Sequence, residues 1–392
     1  MVRYITLSIL LLAMLFGKAF SLSDSATISL LTVVPGEELY SAFGHTGIRV
    51  TDHKQGFDVV FNYGTFDFDQ PGFYVNFTMG KMLYMMGIDR FEDFKYQYEH
   101  YEKRRVTEQV LNLTTDDKQQ IFKFLDWNAQ SENRNYRYDF FWDNCCTRPR
   151  DIFEKQLGNR IQYNYSSFDT TKTMRQTLKP YVANMPWVDF GFDLILGLPC
   201  EIKATPRNQT FLPDKLEQLY EHTTVNGQPF VTAHNVIVDL PFQPAPFKGI
   251  TPIMVTFGLL MLALALGFIE RIKNIHFWWF DFLIFFAFGL LGMLFTFLGL
   301  FSEHYSVPKN LNCLWLIPTH FIVCFFLFKK QKPVWLQYYF AATFVLMLLL
   351  LVVWKWNPQP YNLAVLPLIL LAANRAMRIF LRIKLQRLPQ VK

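Results

Sequence analysis

The chain has 392 residues, 51% of them hydrophobic, and a formal net charge of +6. Residues from about 22 to 245 have the mixed composition of a globular domain, whereas long apolar runs dominate from about 249 onward, so the chain reads as a membrane protein with one soluble domain. The positive charge is no nucleic-acid signal, because many of the C-terminal basic residues sit at the ends of apolar runs, where they set topology.

Residues 1–21 carry Arg3, an apolar core from Ile5 to Phe16, and the small residues Ala19 and Ser21. That is the make-up of a secretory signal cleaved after Ser21. An uncleaved first membrane helix is the alternative, and the soluble domain is exported either way.

Ala26 to Val34 is apolar and β-rich, and Pro35-Gly36 breaks it. Phe43 to Val50 is predicted as a strand, with Val59 to Tyr63 as its hairpin partner across the turn-like Asp52 to Gly56. His45 then opens the first strand between Gly44 and Gly47, which leave room for close approach of a backbone or substrate. Asn62 and Asp67 follow as candidates to orient that histidine, since an imidazole base needs a third group to fix its tautomer. Asn62 is preferred because it lies on the neighbouring strand. Phe66 to Phe77 is unusually aromatic for a loop, which fits either core packing or a surface that meets lipid.

Phe91 to Arg105 reads as a solvated connection into a strand over Arg105 to Asn112. Thr114 to Asp117 caps a helix from about Asp116 to Gln130. Tyr138 to Asp151 then sets aromatic residues against Asp143, Asn144, Cys145, Cys146, Arg148 and Arg150. A thiol becomes a nucleophile only as thiolate and needs positive potential around it. Asn144 or Thr147 would cap a helix containing Arg150 to Leu157, with both cysteines at its positive end. Two buried, inert cysteines are the competing reading; the upstream histidine favours a Cys/His catalytic site. Asp169 to Leu178 is predicted helical, and Leu240 to Pro246 is a semi-rigid linker.

The five cysteines, Cys145, Cys146, Cys200, Cys313 and Cys324, show neither metal-ligand spacing nor a disulfide framework. No metal or other cofactor is expected. Five apolar runs follow: Ile250 to Ile269, Phe277 to Phe301, Leu311 to Phe328, Leu336 to Trp354 and Tyr361 to Ala373. Basic residues cluster after the first, third and fifth, which puts the C-terminus in the cytoplasm and residues 22–248 outside. The expected domains are therefore a signal at 1–21, an exported domain at 22–248, membrane helices at 249–381 and a tail at 382–392. His320 and Asp281, in or near apolar runs, are functional candidates by default.

Gly44-His45-Thr46-Gly47-Ile48 followed about 100 residues later by Asn144-Cys145 resembles the circularly permuted branch of the NlpC-type cysteine hydrolases, which includes lecithin–retinol acyltransferase. With Asn62 to Phe68, Tyr138 to Asp151, Phe211 to Asp214 and the multi-helix tail, the chain more closely resembles the Lnb-type lipoprotein N-acyltransferases of Bacteroidota. The resemblance implies an α+β, permuted papain-like exported domain followed by a bundle of about five transmembrane helices. It also implies a bacterial inner-membrane protein with a periplasmic N-terminal domain. Cys145, His45 and Asn62 would be catalytic, and Asn144, Arg148, Tyr63 and Asp67 would bind substrate. The implied partners are a phospholipid acyl donor and a diacylated lipoprotein acceptor. Cys146 and Pro149 depart from the family pattern. A peptidoglycan peptidase or amidase, and a non-enzymatic envelope receptor, are the competing functions.

Overall fold

The computed structural model describes residues 21–66, 69, 71–240 and 246–387. The expected signal lies outside them but for Ser21, as do Asp67 and most of the Leu240 to Pro246 linker.

The exported part is built on a seven-stranded antiparallel sheet in the order β10-β5-β1-β2-β3-β4-β6. Its strands are β1 (Thr27–Val33), β2 (His45–Asp52), β3 (Phe57–Thr65), β4 (Leu83–Arg90), β5 (Val106–Leu111), β6 (Asn135–Arg137) and β10 (Val231–Val238). The short β7 (Ile161–Gln162), β8 (Thr224–Val225) and β9 (Gln228–Pro229) form a second sheet.

Alternation decides what each face of the main sheet carries. Ile48, Val50, Phe61 and Tyr63 face a core closed by three helices: α2 (Thr115–Ala129), α3 (Thr147–Leu157) and α6 (Pro213–Glu221). The reciprocal capping box expected at Thr114 is present: its hydroxyl accepts from the Asp117 N–H and the Asp117 carboxylate accepts from the Thr114 N–H. On the other face, Phe91, Phe94 and Tyr98 are buried against Leu31, Val33 and Val60. The segment expected to be a solvated connection is therefore a helical turn covering the sheet, its apolar side hidden by the charged residues between. The helix expected over Asp169 to Leu178 is confined to α4 (Met174–Leu178), opened by a Thr173 cap.

In the C-terminal part, α7 (Pro252–Lys273), α8 (Trp278–Phe301) and α9 (Val334–Val352) are long and apolar enough to cross a membrane. The other two expected runs behave differently. The third, around Pro318, breaks into the short turns Leu311–Leu314, His320–Val323 and Cys324–Phe328, because proline can neither donate a backbone hydrogen bond nor fit a helix interior. These turns press so closely on Gly289 and Gly292 of α8 that a Cβ there would collide with backbone. The fifth is a long helix, α10 (Val365–Leu385), with Arg375 fully buried in it. Arg375 pairs with Glu270 at 2.7 Å and Asp281 at 2.5 Å, and His276 joins Asp281 at 2.6 Å. Asp281 is thus an ion-pair partner, and His320 is held by the Tyr339 hydroxyl at 2.6 Å. α10 continues to Leu385, so the tail expected from 382 begins as its last turn.

The two parts are joined through the loops at the sheet-domain end of the bundle. Asn310, Asn312 and Gln359 donate to the backbone carbonyls of residues 193–196, at the end of α5 (Pro186–Ile195). Asn362 donates to Asp193 at 2.9 Å. The basic connections, with Arg382 on Asn274 and Arg387 on Lys332, lie at the opposite end.

Candidate active site

His45 is the first residue of β2, opposite Val33 at the sheet's end. The turn before it requires Gly44, whose φ is +85° and whose missing Cβ leaves room for Pro213. Two residues on, Gly47 pairs with Asn62 of β3. A side chain on Gly47 would strike the Asn62 Oδ1 at 2.9 Å, so this glycine is what lets the amide lie across the strand toward the imidazole.

The His45 Nε2 lies 3.0 Å from the Asn62 Oδ1, and the Asn62 Nδ2 donates to the Asp89 carboxylate at 2.6 Å. That chain assigns the protons. A carboxylate only accepts, so Asn62 must turn its NH2 to Asp89 and its oxygen to His45. Nε2 must then donate, leaving Nδ1 to exchange a proton with the Cys145 thiol, to which His45 is hydrogen-bonded. Of the two candidate orienting residues, Asn62 occupies the position, while Asp67 is outside the described residues. Asp89 was missed in the sequence because nothing local marks it. It shares the face of Asn62 only through the β3–β4 register.

The cysteines arrive from the other side. Cys146 is the N-cap of α3 and Cys145 precedes it. Asn144 builds this turn: its Oδ1 accepts from the Cys146 and Thr147 N–H groups at 2.8 and 3.0 Å. Its Nδ2 donates to the carbonyls of Phe140 and Phe211, both at 2.9 Å. With its amide fully engaged and buried, Asn144 fixes the turn that carries Cys145 and has nothing left for a substrate. Pro149 falls in the first turn of α3, where its missing N–H costs nothing.

Cys145 is half-buried beside His45, and Gly64 of β3 packs against it without a side chain. The Cys146 thiol, at 3.9 Å, is the strongest influence on its charge. Together with hydrogen bonds from His45 and the Thr46 backbone and the charge of His45, it outweighs burial and holds Cys145 well below the ordinary thiol value. Cys146 is pushed the opposite way, by burial first and then by the bond to its neighbour, and it also contacts the Thr46 hydroxyl at 3.3 Å. For His45, burial alone would favour the neutral ring. The hydrogen bond and negative charge of Cys145, with the bond to Asn62, reverse this and raise it. The two opposite shifts favour a thiolate on Cys145 facing a protonated His45.

Two residues expected to meet substrate are otherwise occupied. Tyr63 is buried, its hydroxyl donating to Asn128 at 2.6 Å. Arg148 is paired bidentately with Asp143 at 2.6 and 2.8 Å and lies 3.5 Å over the Tyr136 ring. Clefts of about 590 and 490 Å³ flank the site, one reaching Leu212 and Asp214, the other Tyr63 and Asp143.

Two family models match the chain: the Lnb N-terminal periplasmic domain over residues 16–179, and the Lnb transmembrane domain over residues 245–387. No curated protein and no solved structure matches it. The first match contains the whole His45–Asn62–Asp89–Cys145 constellation and the second the helices on which its domain is seated. The chain therefore belongs to the Lnb family, as a membrane-associated protein with a periplasmic N-terminal domain.

Proposed function

We propose that this protein is a lipoprotein N-acyltransferase, an enzyme that moves an acyl chain from a membrane phospholipid to the α-amine of a diacylated lipoprotein's N-terminal cysteine. The observation that carries this reading is Cys145 hydrogen-bonded to His45, its thiol held well below the ordinary range, on a domain clamped to membrane helices.

In the first half the Cys145 sulfur attacks the ester carbonyl. The carbon–oxygen bond breaks, the departing lysophospholipid oxygen takes the proton from His45, and a thioester remains. In the second half the lipoprotein amine attacks the thioester. Neutral His45 takes the amine proton as the carbon–sulfur bond breaks, which regenerates the thiolate–imidazolium pair. The Cys145 backbone N–H serves as oxyanion donor. Asn62 and Asp89 keep the imidazole in one tautomer through both halves. A thioester suits the task because amines aminolyse it readily.

The test is mass spectrometry of a reporter lipoprotein's N-terminal peptide from cells carrying wild-type protein, Cys145→Ala or Cys146→Ala. Triacylated peptide that becomes diacylated with Cys145→Ala but not with Cys146→Ala is the expected result. Unchanged acylation in both variants, with both proteins present in the membrane, would overturn the reading and direct attention to peptidoglycan products.

A further inference from the structure

The short helix α1 (Phe73–Thr78) buries none of its residues, and Tyr74, Val75 and Phe77 are 79%, 67% and 54% exposed. Its position says what covers them. The Glu303 N–H donates to the Met79 carbonyl at 2.8 Å, and the His304 ring bonds the Phe77 carbonyl at 3.0 Å. Glu303 and His304 follow directly on α8, whose last turn exposes Leu300 and Phe301. α1 is thus tied to the point where a membrane-crossing helix leaves the bilayer, and its apolar side chains continue that helix's exposed apolar surface. An aromatic and aliphatic helix face held at that depth belongs in lipid rather than water.

From the exposed Phe77 of α1 a row of rings leads inward through half-buried Phe73, Phe66, Tyr84 and Tyr138. Phe77 stacks on Phe73 at 6.4 Å, Phe73 meets Phe66 at 6.2 Å, Phe66 meets Tyr84 at 5.2 Å, and Tyr84 stacks on Tyr138 at 4.2 Å. Tyr138 lies near enough to Cys145 for a charge on that sulfur to act on its hydroxyl. The row therefore runs from the membrane-level helix toward Cys145.

We propose that α1 and this aromatic row form a binding site for a phospholipid acyl chain, with α1 seated in the outer leaflet and the row guiding the chain out of the bilayer to Cys145. The guiding role rests on the acyl-transfer reading, whereas the seating of α1 in lipid does not. Flat, apolar rings suit a chain that must slide, because they offer contact without a fixed hydrogen bond.

The experiment uses the full chain in lipid nanodiscs containing a phospholipid with a diazirine at the end of one acyl chain, with crosslinked peptides mapped by mass spectrometry after irradiation. Crosslinks at residues 73–77 are expected in both wild type and Cys145→Ala. A combined Tyr74→Ser, Val75→Ser and Phe77→Ser variant should lower them on the order of tenfold, as expected for removing apolar contacts of three side chains. Its folding is checked by retained alkylation of Cys145. Crosslinks confined to the membrane helices, or unchanged by the triple variant, would overturn the proposal. Crosslinks at 73–77 with no acyl transfer by the wild type would sink the acyl-transfer reading while leaving the lipid site standing.

Discussion

Cys146 marks how one residue sets the chemistry of its neighbour. Burial and the neighbouring sulfur push its thiol up while Cys145 is held down, which favours Cys146 as the donor across their 3.9 Å contact. Cys146→Ala should therefore move Cys145 back toward the ordinary thiol range near 8.5 and slow its alkylation by iodoacetamide at neutral pH without abolishing it. The pH profile follows from the two opposite shifts. Cys145 lies below its usual value and His45 above, so the ion pair exists between them. Alkylation should persist as pH falls through the ordinary thiol range and fade only below the depressed Cys145 value. As pH rises past the raised His45 value, the thiolate remains but the proton donor is lost. Acyl transfer should then fall while alkylation does not. Parallel loss of both on the alkaline side would remove His45 as the proton carrier. Asp89→Ala frees the Asn62 amide to flip, and should lower kcat on the order of tenfold, a typical cost of losing an outer hydrogen-bond partner, with alkylation at high pH unchanged.

At the scale of elements, the β2–β3 pairing and the cap of α3 have separate tasks. Gly47→Ala puts a methyl group where the Asn62 Oδ1 and Val60 side chains now lie, at 2.9 and 2.8 Å. It should displace the amide and lower activity as Asn62→Ala is expected to, with far-ultraviolet circular dichroism unchanged. A purely structural glycine would instead give a protein that fails to fold. Thr114→Ala removes one half of the α2 capping box and should cost about 1 kcal/mol of stability, measured as a lower thermal midpoint with Cys145 reactivity intact. α1 is the element whose local sequence carries two meanings, since an aromatic hexapeptide reads equally as core or as lipid contact.

The molecule as a whole is held together by amides in the loops beneath the sheet domain. Asn312 is fully buried and joins the Asp193 and Leu194 carbonyls to the Trp315 indole. Asn312→Ala removes the partner of the Asp193 carbonyl and of the Trp315 indole N–H, while the Leu194 carbonyl keeps Asn310, at about 1–3 kcal/mol for each buried group left unsatisfied. The expected outcome is a lower thermal midpoint, with faster proteolytic release of the sheet domain from membranes. Equal release rates from wild type and variant would show that the seating lies elsewhere. These loops are thus structural anchors between the two parts.

Local patterns were legible where the chain's own periodicity and caps decide the structure. The His45 strand, its Asn62 partner, the Thr114 cap and the helix beginning beside Cys145 and Cys146 all follow from neighbours a few residues apart. So did the sorting of basic loops to one end, because charge between apolar runs is a property of composition. The remainder needed the fold. Asp89 reaches the site through strand register, Asn144 turned from substrate contact to loop anchor once Phe140 and Phe211 closed on it, and Tyr63 and Arg148 were claimed by Asn128 and Asp143. The third apolar run broke at Pro318, and its turns found their seat on Gly289 and Gly292 of α8. Sequence determined which residue types could carry chemistry and which segments are apolar, since those depend on side-chain type and short-range order. Tertiary structure decided which polar groups remain free to act, since most buried donors and acceptors must find a partner and only the assembled fold allots them.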